Sequence, residues 1–408
     1  MNRSLIVIVF CLCLGCNPPK DPLTSVIDQN SLVKKLATNP AYEVQIIYTQ
    51  IDRDAAQKPT FTTYRYQLDS SQYFYPASTV KLPASLVALE KLNKIEVPGL
   101  HAFSRMAIDS AFSRQMRVAV DSTAPGLAPS IGHYIRKVLI TSDNDAYNRL
   151  YEFLGQDYLN DVLHSKGYTD SRIIHRLSLP RTPEENLHSN PMRFYEGDSI
   201  IYEQELVRST GRHHRGSAIL RGVGYELDGA IIDQPFDFQY KNEFPLDEQH
   251  RLLQALFFPD LLPQNTFQLT ADDYAFVYKN MGLLPGESGI KGYEDQSQYW
   301  DSYVKFLMYG SQPDARIPAN IRIFNKIGQA YGYLIDNAYV VDFDNGVEFM
   351  LSAVIHVNAN RIFNDGVYEY DSLGFPFMEQ LGQAIYQLEL EREKAIQPDL
   401  SGLEALFD

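Results

Sequence analysis

The side chains whose types and spacing best suit catalysis lie in Ser78-Thr79-Val80-Lys81, at the start of a predicted helix. A separation of three residues places a hydroxyl and an amine on one helix face, within reach of each other. A lysine kept neutral by burial and by neighbouring cations can take the serine proton, so Ser78 would be a nucleophile and Lys81 its base. The same spacing occurs at Ser31/Lys34, Ser288/Lys291 and Ser302/Lys305. The motif alone therefore does not identify a site.

Two further triplets separate Ser78 from these competitors. Ser142-Asp143-Asn144 follows an amphipathic helix, and Lys326-Ile327-Gly328 lies in a strand-like segment. In this order, S-x-x-K, S-D-N and K-T-G are the signature of class A β-lactamases and penicillin-binding proteins, and the chain resembles that superfamily. The stretches 138–155 and 326–341 extend the resemblance, which covers about residues 40–185 and 300–395.

The resemblance implies an acyl-enzyme chemistry for the first set of residues. Ser78 would attack a lactam or peptide carbonyl, with Lys81 as base. Ser142 would relay a proton to the departing nitrogen. These three residues are the principal catalytic candidates.

It also implies a substrate-binding set. Asn144 would bind the substrate amide and the lysine, and Lys326 would supply positive charge for the substrate carboxylate. Backbone N–H groups of Ser78 and Gln329 would form an oxyanion hole. Gly328 completes the predicted substrate-binding residues.

The loop after S-D-N departs from the class A pattern, in which a glutamate activates the water that hydrolyses the acyl-enzyme. Matching residues 175–176 to the family's Asp-Arg pair puts Ser178 at the glutamate position. Matching residues 183–186 to the family's Pro-Glu-Leu-Asn puts Thr182 there instead. Neither side chain is acidic, so the general base for deacylation is missing from both alignments.

Three other residues bear on this departure. Glu184 and Glu185 are candidates for the missing base if the loop is longer than usual, and the alternative for both is a solvent-facing acidic turn. Ile327 replaces the usual hydroxyl residue of K-T-G and removes a contact to the substrate carboxylate of about 1.5 to 3 kcal/mol.

Helices and strands that could position these motifs follow from local patterns. Alternating, β-branched and aromatic stretches predict strands at 43–51 and 61–68 and again between 321 and 357. Helical periodicity predicts helices from about 78 to 92, 131 to 140, 146 to 163 and 375 to 394. The predicted fold class is α+β, with an antiparallel sheet built from both ends of the chain, flanking helices and a mainly helical subdomain. The resemblance implies that this fold is of the β-lactamase/transpeptidase type.

This pattern also predicts the domain organisation. The divisions are a leader at 1–16, a spacer and start at 17–39, and a hydrolase domain at 40–395. Within that domain, 40–77 and 300–395 form the sheet part, 78–299 the helical part, and about 190–300 an insertion. A cleft is expected between the two parts.

Composition excludes several classes of function. The 408 residues include 36 basic and 51 acidic side chains, a net charge of −15, so nucleic acid is not a predicted partner. The three cysteines all lie within the first 16 residues, which rules out thiol chemistry elsewhere. His213 and His214 lack a spaced partner set, so neither a metal nor another cofactor is predicted.

The amino end predicts export. Arg3, an apolar run from Leu5 to Leu14, and Gly15-Cys16 resemble a bacterial lipoprotein signal, in which Cys16 would be lipidated. An ordinary secretion signal or a stray hydrophobic end is the alternative. The expectation is a membrane-anchored protein of the bacterial cell envelope, facing the periplasm or the exterior.

Together these features predict a serine hydrolase that works through an acyl-serine. Hydrolysis of a β-lactam ring is the first expectation. A D-Ala-D-Ala peptidase acting on peptidoglycan peptides is the second. The third is a penicillin-binding sensor or pseudoenzyme that does not turn over.

Overall fold

The computed structural model of the protein describes residues 21–408. Residues 1–20, with the predicted leader and Cys16, lie outside the described residues. The strands are β1 Gln45–Arg53, β2 Pro59–Tyr66, β3 Arg105–Ile108, β4 Met192–Glu196, β5 Ser199–Gln204, β6 Leu220–Arg221, β7 Gly224–Leu227, β8 Ala230–Ile232, β9 Phe236–Asp237, β10 Ile321–Ala330, β11 Tyr333–Asp342, β12 Val347–His356 and β13 Ile362–Phe363.

The α-helices lie before, between and after these groups of strands. They are α1 Pro22–Gln29, α2 Ser31–Ala37, α3 Lys81–Lys94, α4 Ile131–Thr141, α5 Asn144–Leu154, α6 Gln156–Ser165, α7 Pro183–Leu187, α8 Leu246–Phe257, α9 Ala271–Gly282, α10 Phe306–Tyr309, α11 Phe375–Glu391 and α12 Ser401–Glu404. A 3-10 helix, Ala77–Val80, leads directly into α3. No helix within residues 21–408 is both long and apolar enough to span a bilayer.

The central sheet has the order β10-β11-β12-β1-β2 and is antiparallel throughout. Strands from the two ends of the chain meet where β1 pairs with β12, with Tyr48 opposite Leu351. The predicted antiparallel sheet built from both termini is therefore confirmed, as is the α+β class.

Helices cover both faces of this sheet, since alternate strand residues point to opposite sides. Ile46 and Tyr48 belong to a core formed with α1, α2 and α11, whereas Ile47 belongs to the core that contains α3, α4, α5 and α8. Both faces are buried, so most side chains of the central strands are apolar. The helical part stands on the second face, beside the edge strand β10.

Two predicted segments differ from the structure. Residues 22–37, assigned to the spacer and start, form α1 and α2, because Leu23 and Leu36 are fully buried in the sheet core. The folded domain thus begins before residue 40. The helix predicted for 146–163 is two helices, α5 and α6, because Gly155 between them has φ of 71°.

The segment predicted as an insertion, about 190–300, contributes strands to the small sheets and a helix that packs on the central sheet. β4 and β5 form a small sheet with β3, and β7 pairs with β8 and, in parallel, with β13. Helix α8 packs on the central sheet, where Gln249 Oε1 accepts a 2.6 Å hydrogen bond from Asn337 Nδ2. The sheet part therefore draws on more of the chain than residues 40–77 and 300–395.

Candidate active site

Ser78 lies in the 3-10 helix that precedes α3, and Lys81 is the first residue of α3. The hydroxyl of Thr79 donates a 2.8 Å bond to the carbonyl of Pro76, which fixes this turn. Ser78 is half-buried, and its Oγ makes no hydrogen bond to residues 21–408. Its hydroxyl is therefore available to an incoming substrate, as nucleophiles in unliganded sites often are.

The S-D-N triplet forms the connection between α4 and α5. Ser142 ends α4 in a left-handed conformation, with φ of 59°. Asp143 caps α5, since its Oδ1 accepts a 2.7 Å bond from the N–H of Ala146. Asp143 therefore serves as a helix cap, and Ser142 and Asn144 are the two residues of the triplet whose side chains contact the lysines of the other two motifs.

The three motifs meet around the hydroxyl of Ser142. Nζ of Lys81 lies 3.2 Å from Ser142 Oγ and 2.7 Å from Oδ1 of Asn144, and it also donates to the carbonyl of Ser142. Nζ of Lys326 donates a 2.8 Å bond to the same Ser142 Oγ. The structure thus brings together Lys81, Ser142, Asn144 and Lys326 from three distant parts of the sequence.

Burial shifts the protonation of both amines. Lys81 is fully buried, and burial, followed by the positive charge of Lys326, holds its pKa well below the usual value. Burial also lowers the pKa of Lys326 to about 7, which Asp336 opposes and Lys305 reinforces. Lys326 can therefore change charge near neutral pH, and burial favours the neutral form of Lys81.

The hydrogen bonds of Lys81 suit a neutral amine. A neutral amine has two N–H donors and one lone pair. The carbonyl of Ser142 and the amide oxygen of Asn144 can only accept, so they use the two donors. The lone pair is then left for a hydroxyl proton, which is the arrangement a general base requires.

The Ser302/Lys305 pair, a competitor with the same spacing, fails this test. Lys305 is also buried, and burial lowers its pKa to about 7. Its Nζ donates to three carbonyl-type oxygens, those of Met281 at 2.7 Å, Ile323 at 2.6 Å and Asn325 at 2.8 Å. With all three donors in use, the amine has no lone pair to accept a proton.

The other two pairs also have structural roles. The hydroxyl of Ser288 donates 2.7 Å to the carbonyl of Pro285, and Lys291 is exposed. Lys34 forms an ion pair of 3.0 Å with Asp28. Neither pair lines the cleft described below.

Gly328 and Gln329 follow Lys326 on the edge strand β10. A Cβ on Gly328 would lie 2.6 Å from the carbonyl oxygen of Pro76, so only glycine lets β10 approach the 3-10 helix this closely. Tyr331 and Gly332, with φ of 56° and 81°, form the tight turn to β11. In this hairpin, Ala330 and Tyr333 form the hydrogen-bonded pair next to the turn. Gln329 and Leu334 therefore form a non-hydrogen-bonded pair, so the N–H of Gln329 points away from β11.

The cleft opens from Ser78 in two directions. The first cavity, of about 850 Å³, extends along the loop from His175 to Pro183. The second cavity, of about 670 Å³, extends past Ser142 toward Trp300 and Tyr303. Among the residues of this structure, Ser78, Asn144 and Gln329 line both cavities. The nucleophile therefore stands at their junction.

Glu184 and Glu185 do not lie at this junction. Glu185 caps α7 and forms an ion pair with Arg114, whose side chain holds the pKa of Glu185 below its usual value. Glu184 is exposed and pairs with Arg208 at 3.1 Å. Neither side chain lines either cavity, so the expectation that one of them serves as the base is not supported.

Sequence reasoning missed the buried carboxylate of Asp336, whose charge acts on Lys326 and Lys305. Asp336 accepts hydrogen bonds from Asn325 at 2.7 Å and from the N–H of Leu307 at 3.0 Å. Burial raises its pKa to about 6. Its negative charge counteracts the desolvation of Lys326. The available signal was an acidic residue within the apolar β11 strand, whose neighbours are all buried.

Comparisons with known proteins concern the family and the fold of the chain. The family model described as the beta-lactamase enzyme family matches residues 30–205, a range that contains Ser78, Lys81 and the S-D-N triplet. No curated protein matches the chain.

Solved structures share the architecture at low sequence identity. The structure of PBP-A has a TM-score of 0.50 and 14% identity, and the alignment covers 91% of this chain and 98% of that chain. A beta-lactamase from Sphaerobacter thermophilus has a TM-score of 0.47 and 14% identity, covering 91% and 98%. The chain therefore has the β-lactamase/transpeptidase-like fold, and its residues 30–205 match the beta-lactamase enzyme family.

Proposed function

We propose that this protein is a serine hydrolase that forms an acyl-enzyme on Ser78, with β-lactams as its first substrate class. The observation that carries the proposal is the buried amine of Lys81, which shares the hydroxyl of Ser142 with Lys326, and Ser142 lines the same cavity as Ser78. The match of residues 30–205 to the beta-lactamase enzyme family supports it. Assignment to class A rests on the motif order alone.

The acylation step follows from this arrangement. Oγ of Ser78 attacks the carbonyl carbon as its proton passes to the lone pair of Lys81. The negative oxygen that forms is stabilised by the N–H groups of Ser78 and Gln329. When the C–N bond breaks, Lys81 returns the proton through Ser142, 3.2 Å away, to the departing nitrogen. Lys326 attracts the carboxylate of the leaving half.

Deacylation is the less supported half of the reaction. Among the residues that line the first cavity, where the class A glutamate loop would run, none is a carboxylate. The second cavity is lined by Asp371, which does not line the first. Loss of general-base assistance typically costs about 10² to 10⁴ in rate.

This observation favours a second candidate function. A D-Ala-D-Ala peptidase of peptidoglycan shares the acylation machinery and does without the loop glutamate. A penicillin-binding sensor, which keeps its acyl group, would have the same site. Both are consistent with Ser178 and Asn144 occupying the region where a base would stand.

One experiment separates these functions. The protein is incubated with a chromogenic cephalosporin while colour and intact mass are followed. Continuous colour with transient acylation indicates a β-lactamase, and a lasting adduct indicates a peptidase or sensor. Ser78→Ala should abolish the adduct, whereas Ser302→Ala, the matched competitor in the second cavity, should keep it. An adduct that survives Ser78→Ala would overturn the proposal.

We also propose that the protein is anchored to a membrane of the cell envelope through Cys16, from the sequence of the amino end. Cys16 lies outside the described residues. A lipidated amino terminus would hold the hydrolase domain at the membrane face. Membrane fractionation and the mass of the amino-terminal peptide test this, and Cys16→Ser should release the protein. A Cys16→Ser variant that stays membrane-bound would contradict it.

A further inference from the structure

The first cavity carries only positive charge on its wall. The charged side chains that line it are Arg114, Arg176, Arg181 and Lys241. None of its lining residues, within the part of the chain that the structure describes, is Asp or Glu. In a protein with a net charge of −15, such a cavity stands out from the rest of the surface.

Two of the four cations are neutralised by carboxylates just behind the wall. Nε of Arg114 lies 2.6 Å from Glu185 Oε1, and Nε of Arg176 lies 2.9 Å from Glu152 Oε1. Their charges are already compensated. They are therefore poor candidates for binding a further anion.

The other two cations have no carboxylate partner. Arg181 donates to the carbonyls of Pro180 at 3.3 Å and Arg114 at 2.7 Å, and these oxygens carry no charge. Among residues 21–408, no carboxylate oxygen lies within 4 Å of the amine of Lys241. The cavity thus presents two uncompensated charges to whatever occupies it.

Aromatic rings surround the amine of Lys241. Its Nζ lies 5.6 Å from the ring centres of Phe236 and of Tyr331. Tyr75 and Tyr368 line the same cavity. Apolar walls reduce the screening of a charge by water, so a carboxylate bound here gains more from Lys241 than it would in solution. The wall therefore suits a group that combines apolar surface with one negative charge.

The proposed acylation step predicts which half of the substrate enters the first cavity. Ser142, which would protonate the departing nitrogen, lines the second cavity and not the first. The leaving half therefore points into the second cavity. The acyl half, which stays on Ser78, extends into the first.

We propose that the first cavity is a subsite for a carboxylate on the side chain of the acyl half, held by Arg181 and Lys241. This inference rests on the proposed function. Such a carboxylate could come from the acyl side chain of a β-lactam or from an acidic side chain of a peptide substrate. Arg181 lies within the matched residues 30–205 and Lys241 lies outside them, so the predicted insertion at about 190–300 would contribute one of the two cations.

The first test uses matched pairs of acyl donors. One pair is phenylacetyl penicillin and its α-carboxyphenylacetyl counterpart. The other is a diacetyl-lysyl-D-Ala-D-Ala peptide and the same peptide with a succinyl group on the lysine side chain. Second-order acylation of Ser78 by the penicillins is followed by intact mass, and D-Ala release by the peptides is followed chemically.

The quantity compared is the rate ratio of the acidic to the neutral member of each pair. Wild-type protein should have a ratio above one, and Lys241→Gln or Arg181→Gln should lower it about tenfold, as expected for a lost charge-assisted contact. Lys58→Gln, an exposed lysine in the β1–β2 turn, removes the same charge and should keep the ratio. The pair that shows the effect identifies the source of the carboxylate.

A second test does not depend on acylation. Binding of both penicillins to Ser78→Ala is measured by calorimetry at low and high salt. The acidic member should bind more tightly at low salt, and Lys241→Gln should remove the difference. Equal binding of the two members to Ser78→Ala would overturn this subsite. Loss of all acylation with the binding difference intact would instead reject the proposed function.

Discussion

The side-chain amide of Asn144 donates a 2.9 Å hydrogen bond to the hydroxyl of Ser178. Ser178 lies in a left-handed conformation, with φ of 50°, on the loop that walls the first cavity. One of the two alignments puts Ser178 where class A enzymes have their glutamate. The hydrogen bond supports that alignment over the one that chose Thr182, because it brings Ser178 to a motif residue.

Ser178→Glu should therefore restore a base for deacylation. A carboxylate beside Asn144 could activate water, and general-base assistance is worth about 10² to 10⁴ in rate. The lifetime of the Ser78 adduct, measured by intact mass after a penicillin pulse, should fall accordingly. Ser178→Gln has a similar size and no basic oxygen, so it should leave the lifetime long. Equal acceleration by both variants would contradict the assignment.

The pH dependence of the acylation rate should reflect the protonation of Lys81 and of Lys326. Acylation requires neutral Lys81, so the rate should rise with pH while Lys81 loses its proton. It should fall again above about pH 7, where Lys326 loses the charge that attracts the substrate carboxylate. The measurement is the second-order acylation rate between about pH 5 and pH 9.

Lys326→Met gives this profile a sharper test. The positive charge of Lys326 is one cause of the low pKa of Lys81, so its removal should raise that pKa. The rising limb should then move to higher pH, and the falling limb should disappear. Lys291→Gln, an exposed change, should leave the profile as it is. A rising limb that moves to lower pH would refute the coupling.

Gly328→Ala should separate the edge strand from the nucleophile. The added Cβ would lie 2.6 Å from the carbonyl oxygen of Pro76, and a backbone atom cannot move aside as a flexible side chain can. We expect a loss of about 1 to 3 kcal/mol in unfolding free energy. Acylation of Ser78 should slow as well, since the N–H of Gln329 moves with the strand.

Gly216→Ala is the matched control, because nothing lies within 4 Å of its added Cβ. Urea denaturation and acylation rates should both match the wild type. Normal acylation in Gly328→Ala would show that the oxyanion contact does not depend on this close approach.

Arg176 should stabilise the loop that carries Ser178. Its buried guanidinium donates to Glu152 at 2.9 Å, to the carbonyl of Glu185 at 3.2 Å and to that of His188 at 2.9 Å. Arg176→Met should cost about 3 to 5 kcal/mol in urea denaturation, because it removes one cation of a buried ion-pair network.

Arg208 provides the comparison for that prediction. It pairs with Glu184, and both side chains are more than half exposed, at 56% and 53%. Arg208→Met should change the free energy of unfolding by only about 0 to 1 kcal/mol. If Arg176→Met and Arg208→Met lower the free energy of unfolding equally, burial does not determine how much these ion pairs contribute to stability.

Much of the fold follows from local patterns in the chain. The β1–β2 hairpin, α4 and the three strands β10 to β12 lie close to their predicted positions, because each has a strong periodicity bounded by turn residues. The meeting of Lys81, Ser142 and Lys326 was predicted by resemblance to a family. No local pattern specifies contacts between residues so far apart.

The differences have physical causes that a sequence hides. Leu23, Val26 and Ile27 have the i, i+3, i+4 spacing of a helix face, but α1 has only 8 residues, which is too short for this pattern to reveal that it covers the sheet. Glu185 looked available for catalysis, but Arg114, about 70 residues earlier in the chain, holds its carboxylate through a long-range pair. The triplets favoured Lys81 over Lys305 from the sequence, but the different sets of hydrogen-bond acceptors around the two amines could be seen only in the structure.

The junction of two cavities at Ser78 affects the order in which products leave. In the proposed reaction, the amine half of the substrate would lie in one opening and the ester-linked fragment in the other. With a peptide substrate the amine product could then diffuse away without disturbing the ester-linked fragment, whereas the nitrogen of an opened β-lactam ring stays attached to that fragment. Water, or an amino group from a second peptide, can then enter through the vacated side, so hydrolysis and transpeptidation would compete for one entrance.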